Sequence, residues 1–125
     1  MAVEGELAGR RVLLVEDEAL VSMLLQDTLE EFGCTVVAEA SRFDDALDKA
    51  RSMAFDIAIL DVNLDGRHTF PIAEALAARG SPFVFATGYG ASRLPDTLKD
   101  VPVLQKPFQQ KDLEQALLTA VRRRS

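Results

Sequence analysis

Four apolar runs in this 125-residue chain end in residues that can handle an anion or a cation. Residues 12–15 stop at Glu16 and Asp17, residues 55–60 at Asp61, residues 83–86 at Thr87, and residues 101–104 lead through Gln105 to Lys106. Carboxylates gathered without a cation repel one another and raise one another's pKa. Three of them together therefore point to a divalent metal held by oxygen. With Lys106 as a fixed second cation and Thr87 as a hydroxyl donor, the set suits Mg²⁺ beside a phosphoryl group. Taken singly, each residue also has a plain structural use. Glu16 and Asp17 suit a helix N-terminus, Asp61 a turn, Thr87 a helix cap, and Lys106 a surface stem. Their joint occurrence at the ends of separate runs carries the chemical reading.

The elements that must position these residues can be read from hydropathy. Residues 12–15, 35–38, 55–60, 83–86 and 101–104 are short, mostly non-alternating apolar runs, as in strands buried on both faces. Between them lie amphipathic stretches at 19–32, 42–52 and 69–78, with a last one at 110–122. Leu20, Val21, Leu24, Leu25 and Leu29 mark the first stretch, and Leu113, Ala116, Leu117, Ala120 and Val121 the last. Gly33 and Gly80 close helices and Ser41 is positioned to cap one. Pro95 limits any helix between 88 and 100 to a turn or two. The alternation predicts an α/β fold: a (βα)5 flavodoxin-like open sandwich with a five-stranded parallel sheet, its fourth helix short or irregular. In such a sheet every strand end that precedes a helix lies on one edge, so the residues named above converge.

Composition narrows the classes. The net charge is −6, and the one basic run, Arg122 to Arg124, has no aromatic companions, so a nucleic-acid surface is not expected. No stretch reaches the roughly 18 apolar residues of a membrane span, and the short opening MAVEGELAGRR, with acids where a signal peptide would be basic and then apolar, is unlike a signal peptide, so a cytoplasmic protein is expected. The single cysteine, Cys34, reads as a small buried apolar side chain. His68, the one histidine, reads as a surface residue, and Gly88-Tyr89-Gly90 matches no phosphate-binding glycine motif. One domain over 1–125 is expected, with its core at about 10–122 and with 1–9 and the last three or four residues frayed.

The whole chain resembles the receiver domain of two-component response regulators, the CheY-like family. VLLVEDE resembles the first receiver strand, ILDVN the third, FATG the fourth and LQKPF the fifth. The resemblance implies strand order 2-1-3-4-5 and Asp61 as acceptor of a phosphoryl group from a histidine kinase or phosphotransfer protein. It further implies Mg²⁺ held by Glu16, Asp17, Asp61 and the backbone carbonyl of Asn63, with Thr87 and Lys106 binding the phosphoryl oxygens. It implies a cis bond between Lys106 and Pro107, and a phospho-acceptor that assists its own phosphorylation and dephosphorylation rather than an enzyme with turnover. Asn63, two residues after the acceptor, is placed to influence the lifetime of the acyl phosphate.

The departures are as informative as the matches. Where receivers commonly carry Tyr or Phe as a switch partner of the threonine, this chain has Val103. Gly66 follows Asp61 sooner than usual, and the 87–106 segment is short. With FATGYG, these features resemble the alphaproteobacterial receiver subgroup named for its Phe-Ala-Thr-Gly motif. The expected function is a stand-alone receiver that signals through protein partners or drains phosphate from them. The alternatives are a constitutive interaction module with little switching, a receiver fragment of a hybrid histidine kinase, and a phospho-aspartate hydrolase. The last lacks an acid/base residue at position 63.

Overall fold

Strand β1 (Arg11–Val15) shows why the apolar runs do not alternate. Val12 and Leu14 pack in one core cluster, while Leu13 and Val15 pack in another on the opposite face of the sheet. Both faces are covered, so each position is apolar. The computed structural model describes residues 2–64, 66–88 and 94–124. After β1 come α2 (Ala19–Glu31), β2 (Thr35–Ala40), α3 (Phe43–Ser52) and β3 (Ile57–Asp61), preceded by a short helix α1 (Ala2–Leu7). A two-stranded ribbon, β4 (Asn63–Leu64) and β5 (Arg67–His68), leads to α4 (Phe70–Ala78), β6 (Phe83–Thr87), β7 (Val103–Gln105) and α5 (Gln110–Arg124). The parallel sheet runs β2-β1-β3-β6-β7, which is 2-1-3-4-5 when only its own strands are counted. The flavodoxin-like (βα)5 sandwich is therefore the fold.

Register aligns the strand ends. Val15 lies beside Leu60, Asp61 beside Ala86, and Thr87 beside Gln105. Glu16 and Asp61 are consequently level along the carboxyl edge, with Thr87 one residue and Lys106 two residues further on. Gly33 ends α2 with a φ of 85°, and a Cβ there would meet Ala8 at 3.2 Å, so both conformation and space require glycine.

Several local expectations are corrected. Residues 2–7 are helical, not frayed: Leu7 is fully buried in the cluster beneath α2 and α5, and Glu6 pairs with Arg122. That pairing spans the length of the chain, so no local pattern announces it. At the other end α5 runs to Arg124, with Arg122 on Glu6 and Arg123 donating to the Asp100 carbonyl. Ser41 is exposed and does not cap α3. Arg42 is the N-cap without a side-chain bond, and Asp44 and Asp45 in the first turn face the helix dipole instead. β2 continues to Ala40 and β7 begins only at Val103, after Pro102. On α2 the apolar positions divide: Leu25 and Leu29 are buried, whereas Leu20 is 82% exposed and Met23 and Leu24 lie beside it on the open face. Of the expected fourth helix, residues 89–93, including Tyr89 and Gly90, lie outside the described residues. The described remainder holds a single 3₁₀ turn, Asp96–Leu98, after Pro95.

Candidate functional site

At the carboxyl edge an open pocket of about 520 Å³ is lined by Asp17, Glu18, Asp61, Asn63, Thr87 and Lys106, among others. Each strand delivers its residue at the point where a buried run meets solvent. Asp61 and Thr87 are the last residues of β3 and β6 and are both buried, and Glu16 follows β1 and is also buried. Lys106 follows β7. Its N–H donates to the Thr87 carbonyl at 2.7 Å, and its bond to Pro107 is cis.

Lys106 is the hub. Its Nζ lies 2.9 Å from Glu16 Oε1, 3.3 Å from Asp61 Oδ2 and 3.3 Å from Glu18 Oε1. Burial alone pulls its ammonium down, but the contact with Glu16 and the charges of Asp61 and Glu16 outweigh that and hold it above its ordinary value. Asp61 shows the opposite imbalance. Burial, then the charge of Glu16, pushes its carboxyl up to about 7, against the lowering effect of Lys106 and the Asn63 N–H. That N–H donates to Asp61 Oδ1 at 3.3 Å, and the Glu18 N–H donates to Glu16 Oε2 at 3.1 Å.

Oxygens of Glu16, Asp17, Glu18 and Asp61 all lie within 4.8 Å of one another. Glu16 Oε1 is buried, and the Lys106 ammonium at 2.9 Å is its described ion-pair partner. One lysine therefore leaves this cluster with surplus negative charge. An all-oxygen donor set of that kind fits a hard divalent cation, not a thiolate- or imidazole-seeking one.

The structure thus brings together Glu16, Asp17, Asp61, Asn63, Thr87 and Lys106. Val103 stands apart, half-buried on β7 beside Phe85. Sequence reasoning passed over Glu18. Its signal was the third acid of the Glu16-Asp17-Glu18 run, on the turn that starts α2. His68 is exposed and stacks on Phe70, while the buried Cys34 thiol, raised by desolvation, donates to the Leu7 carbonyl. A groove of about 610 Å³ lined by Arg51, Glu74 and Arg79 gathers no comparable chemistry: Arg79 is committed to the Ala50 and Met53 carbonyls. Among the described residues no helix is long and apolar enough to cross a membrane.

A doubly wound parallel sheet with an acidic pocket and a lysine at its carboxyl edge defines a flavodoxin-like domain. Residues 12–118 match the response regulator receiver domain, and the chain belongs to that family. The transcriptional regulatory protein PdtaR of Mycobacterium tuberculosis is 36% identical over 118 residues, covering 91% of this chain and 58% of PdtaR. The chain thus spans less than two thirds of that relative. The solution structure of SdrG from Sphingomonas melonis Fr1 is similar with a TM-score of 0.79 and 43% identity, covering 90% of this chain and 96% of SdrG. The BeF3-activated conformation of SdrG from Pseudomonas melonis Fr1, also 43% identical, has a TM-score of 0.76 and covers 91% of this chain and 98% of that one.

Proposed function

We propose that Asp61 accepts a phosphoryl group from the phosphohistidine of a kinase or phosphotransfer protein, in a reaction that uses Mg²⁺. The observation that carries this reading is the Lys106 ammonium, 3.3 Å from Asp61 Oδ2 in a carboxylate cluster, buried at Glu16 and Asp61 and open at Asp17 and Glu18, that one lysine does not neutralise. An Asp61 oxygen attacks phosphorus in line. The new O–P bond forms as the P–N bond to the donor histidine breaks, its electron pair returning to that nitrogen, and the proton on the ring's other nitrogen lets a neutral imidazole leave beside the acyl phosphate. Glu16, Asp17, Asp61 and the Asn63 carbonyl are the residues that would hold Mg²⁺, whose chemistry is to neutralise the phosphoryl oxygens as they approach a carboxylate. Lys106 pairs with one of those oxygens and Thr87 donates to another. The exposed Leu20, Met23 and Leu24, on the helix that begins beside Glu18, offer the donor protein an apolar footing.

The existence of a BeF3-activated form of SdrG supports the same reading here. Phe85-Ala86-Thr87-Gly88 supports assignment to the alphaproteobacterial Phe-Ala-Thr-Gly subgroup. Val103 favours a second reading of the output. With no aromatic ring at that position to rotate behind Thr87, the domain binds its partner with little dependence on phosphorylation.

The test is incubation with Mg²⁺ and either a phosphorylated kinase or acetyl phosphate. An adduct of about 80 Da is expected on the wild type and none on Asp61→Asn. No adduct with either donor rejects the acceptor role. Partner affinity that is equal in both phosphorylation states selects the second reading of the output.

A further inference from the structure

Thr69 is a fully buried polar residue at the N-cap of α4, yet it does not cap that helix. A threonine there ordinarily accepts a hydrogen bond from the second or third N–H of its helix. Instead its hydroxyl donates backwards, 2.5 Å from the carbonyl oxygen of Asp61 and 3.2 Å from that of Val62. Its own N–H donates to the Val62 carbonyl at 2.9 Å, and its carbonyl accepts the N–H groups of Ile72 and Ala73, both at 3.0 Å. Thr69 therefore fastens the end of β3 directly to the start of α4 and closes the ribbon of β4 and β5 between them.

We propose that Thr69 is a positioning residue for the phospho-acceptor. The inference rests on the reading of Asp61 as that acceptor. The hydroxyl holds the Asp61 carbonyl, and with it the peptide that leads to Asn63, from below. The Val62 N–H, donating to the Ala86 carbonyl at 3.0 Å, holds the same segment from the side of β6. Between these two ties the backbone dihedrals of Asp61 and Val62 have little freedom. They set where the Asp61 side chain leaves the backbone and where the peptide into Asn63 lies. In-line transfer is sensitive to such aim, because a displacement of about 1 Å at the reacting atoms can cost on the order of 10²-fold in rate. A fully enclosed hydroxyl must find an acceptor somewhere. In this protein the acceptor it finds is the residue that does the chemistry, and its own helix goes without the cap.

Two variants separate this role from simple packing. Thr69→Val keeps the shape and removes the donor, while Thr69→Ser keeps the donor and removes a methyl group from a closed site. Phosphorylation by acetyl phosphate is followed as a function of Mg²⁺ concentration, with thermal unfolding recorded on the same samples. For Thr69→Val we expect a maximal rate about 10-fold lower and a half-saturating Mg²⁺ concentration about 5-fold higher. For Thr69→Ser we expect both within about twofold of the wild type even where its melting temperature falls. Wild-type kinetics in Thr69→Val overturn the inference, as do losses in Thr69→Ser that follow its melting temperature. If Thr69→Val does not fold, the Thr69→Ser result decides alone. A wild type that takes up no phosphoryl group rejects the acceptor reading and this inference with it. A competent wild type with an equally competent Thr69→Val rejects the inference only.

Discussion

The two edges of the sheet use the same residue types to opposite ends. At the amino edge two acids each have their own cation. Asp56, just before β3, accepts the backbone N–H of Arg11 at 2.7 Å and its guanidinium at 3.2 Å, and Glu6 pairs with Arg122 at 2.5 and 3.0 Å. Hydrogen bonds from those arginines hold both carboxyls below their usual range. At the carboxyl edge Glu16, Glu18 and Asp61 share Lys106, Asp17 adds a further charge, and Asp61 is pushed up to about 7. The amino edge is electrostatically settled and works as structure. The carboxyl edge is left short of positive charge, which suits it to a divalent cation. Perturbed titration in a cleft is a marker of function when, as here, geometry supplies a reason for it.

The largest effect on stability is expected at the amino edge. Leu7→Ala empties a fully enclosed position between α1 and the core, and should cost about 2–4 kcal/mol in urea unfolding while leaving phosphorylation by acetyl phosphate unchanged. A cost below about 0.5 kcal/mol means that α1 does not pack in solution and that the amino edge is less settled than drawn. A loss of phosphoryl uptake in a folded variant means that the two edges are not separable.

A smaller effect, of distinctive sign, is expected at the carboxyl edge. Asp61 in the folded protein keeps its proton up to about pH 7, whereas in the unfolded chain it gives it up near 3.8. Between those values the folded state binds more protons, so this group's contribution is complete below about pH 4 and is lost as the pH rises through 7. Asp56 and Glu6 have the reverse sign: their contribution is present above about pH 4 and is lost as the pH falls. Three pKa units correspond to about 4 kcal/mol in a dry site, and the open mouth of the pocket brings that to about 1–2 kcal/mol. In chelator, wild-type stability should therefore fall between pH 4 and 7. Asp61→Asn should remove the fall and be the more stable protein at pH 7.5, and saturating Mg²⁺ should flatten the wild-type curve. The same slope in Asp61→Asn assigns the strain to some other group and breaks the contrast between the edges.

What could be read in advance follows the same division. Strands buried on both faces appear as unbroken apolar runs, so β1, β3 and β6 were legible, and so were the residues that end them. Asp61 is visible because a carboxylate directly after Ile57, Ala58, Ile59 and Leu60 has no packing reason to be there. Features made by distant pairs were not legible. Nothing near Glu6 announces Arg122, and the exposed face of α2 is as leucine-rich as its buried one. Ser41 carries a capping side chain that α3 does not use, and Thr69 carries one that α4 does not use. A hydroxyl's partner is set by tertiary contact, which spacing along the chain does not encode. Glu18 was hidden differently, as one more acid at a helix start where acids are ordinary.

Glu18 also gives the finest test of the contrast, because it is the member of the acidic cluster that most resembles the amino-edge acids. Its side chain is 63% exposed, and its one described ion pair is with Lys106 at 3.3 Å. To serve a phosphoryl group on Asp61, Lys106 must turn from its present partners toward the new oxygens. Glu18 restrains that movement and adds negative charge at the mouth through which an anionic donor enters. Both effects slow phosphorylation, and both are screened by salt because the carboxylate faces water. Glu18→Gln should accordingly be phosphorylated by acetyl phosphate about twofold faster at low ionic strength, with the advantage gone by roughly 0.5 M salt. A slower variant, or one whose advantage survives high salt, makes Glu18 a working part of the site alongside Glu16 and Asp61. The charge committed to the chemistry at the carboxyl edge is then that of all four acids of the cluster, the two exposed ones included.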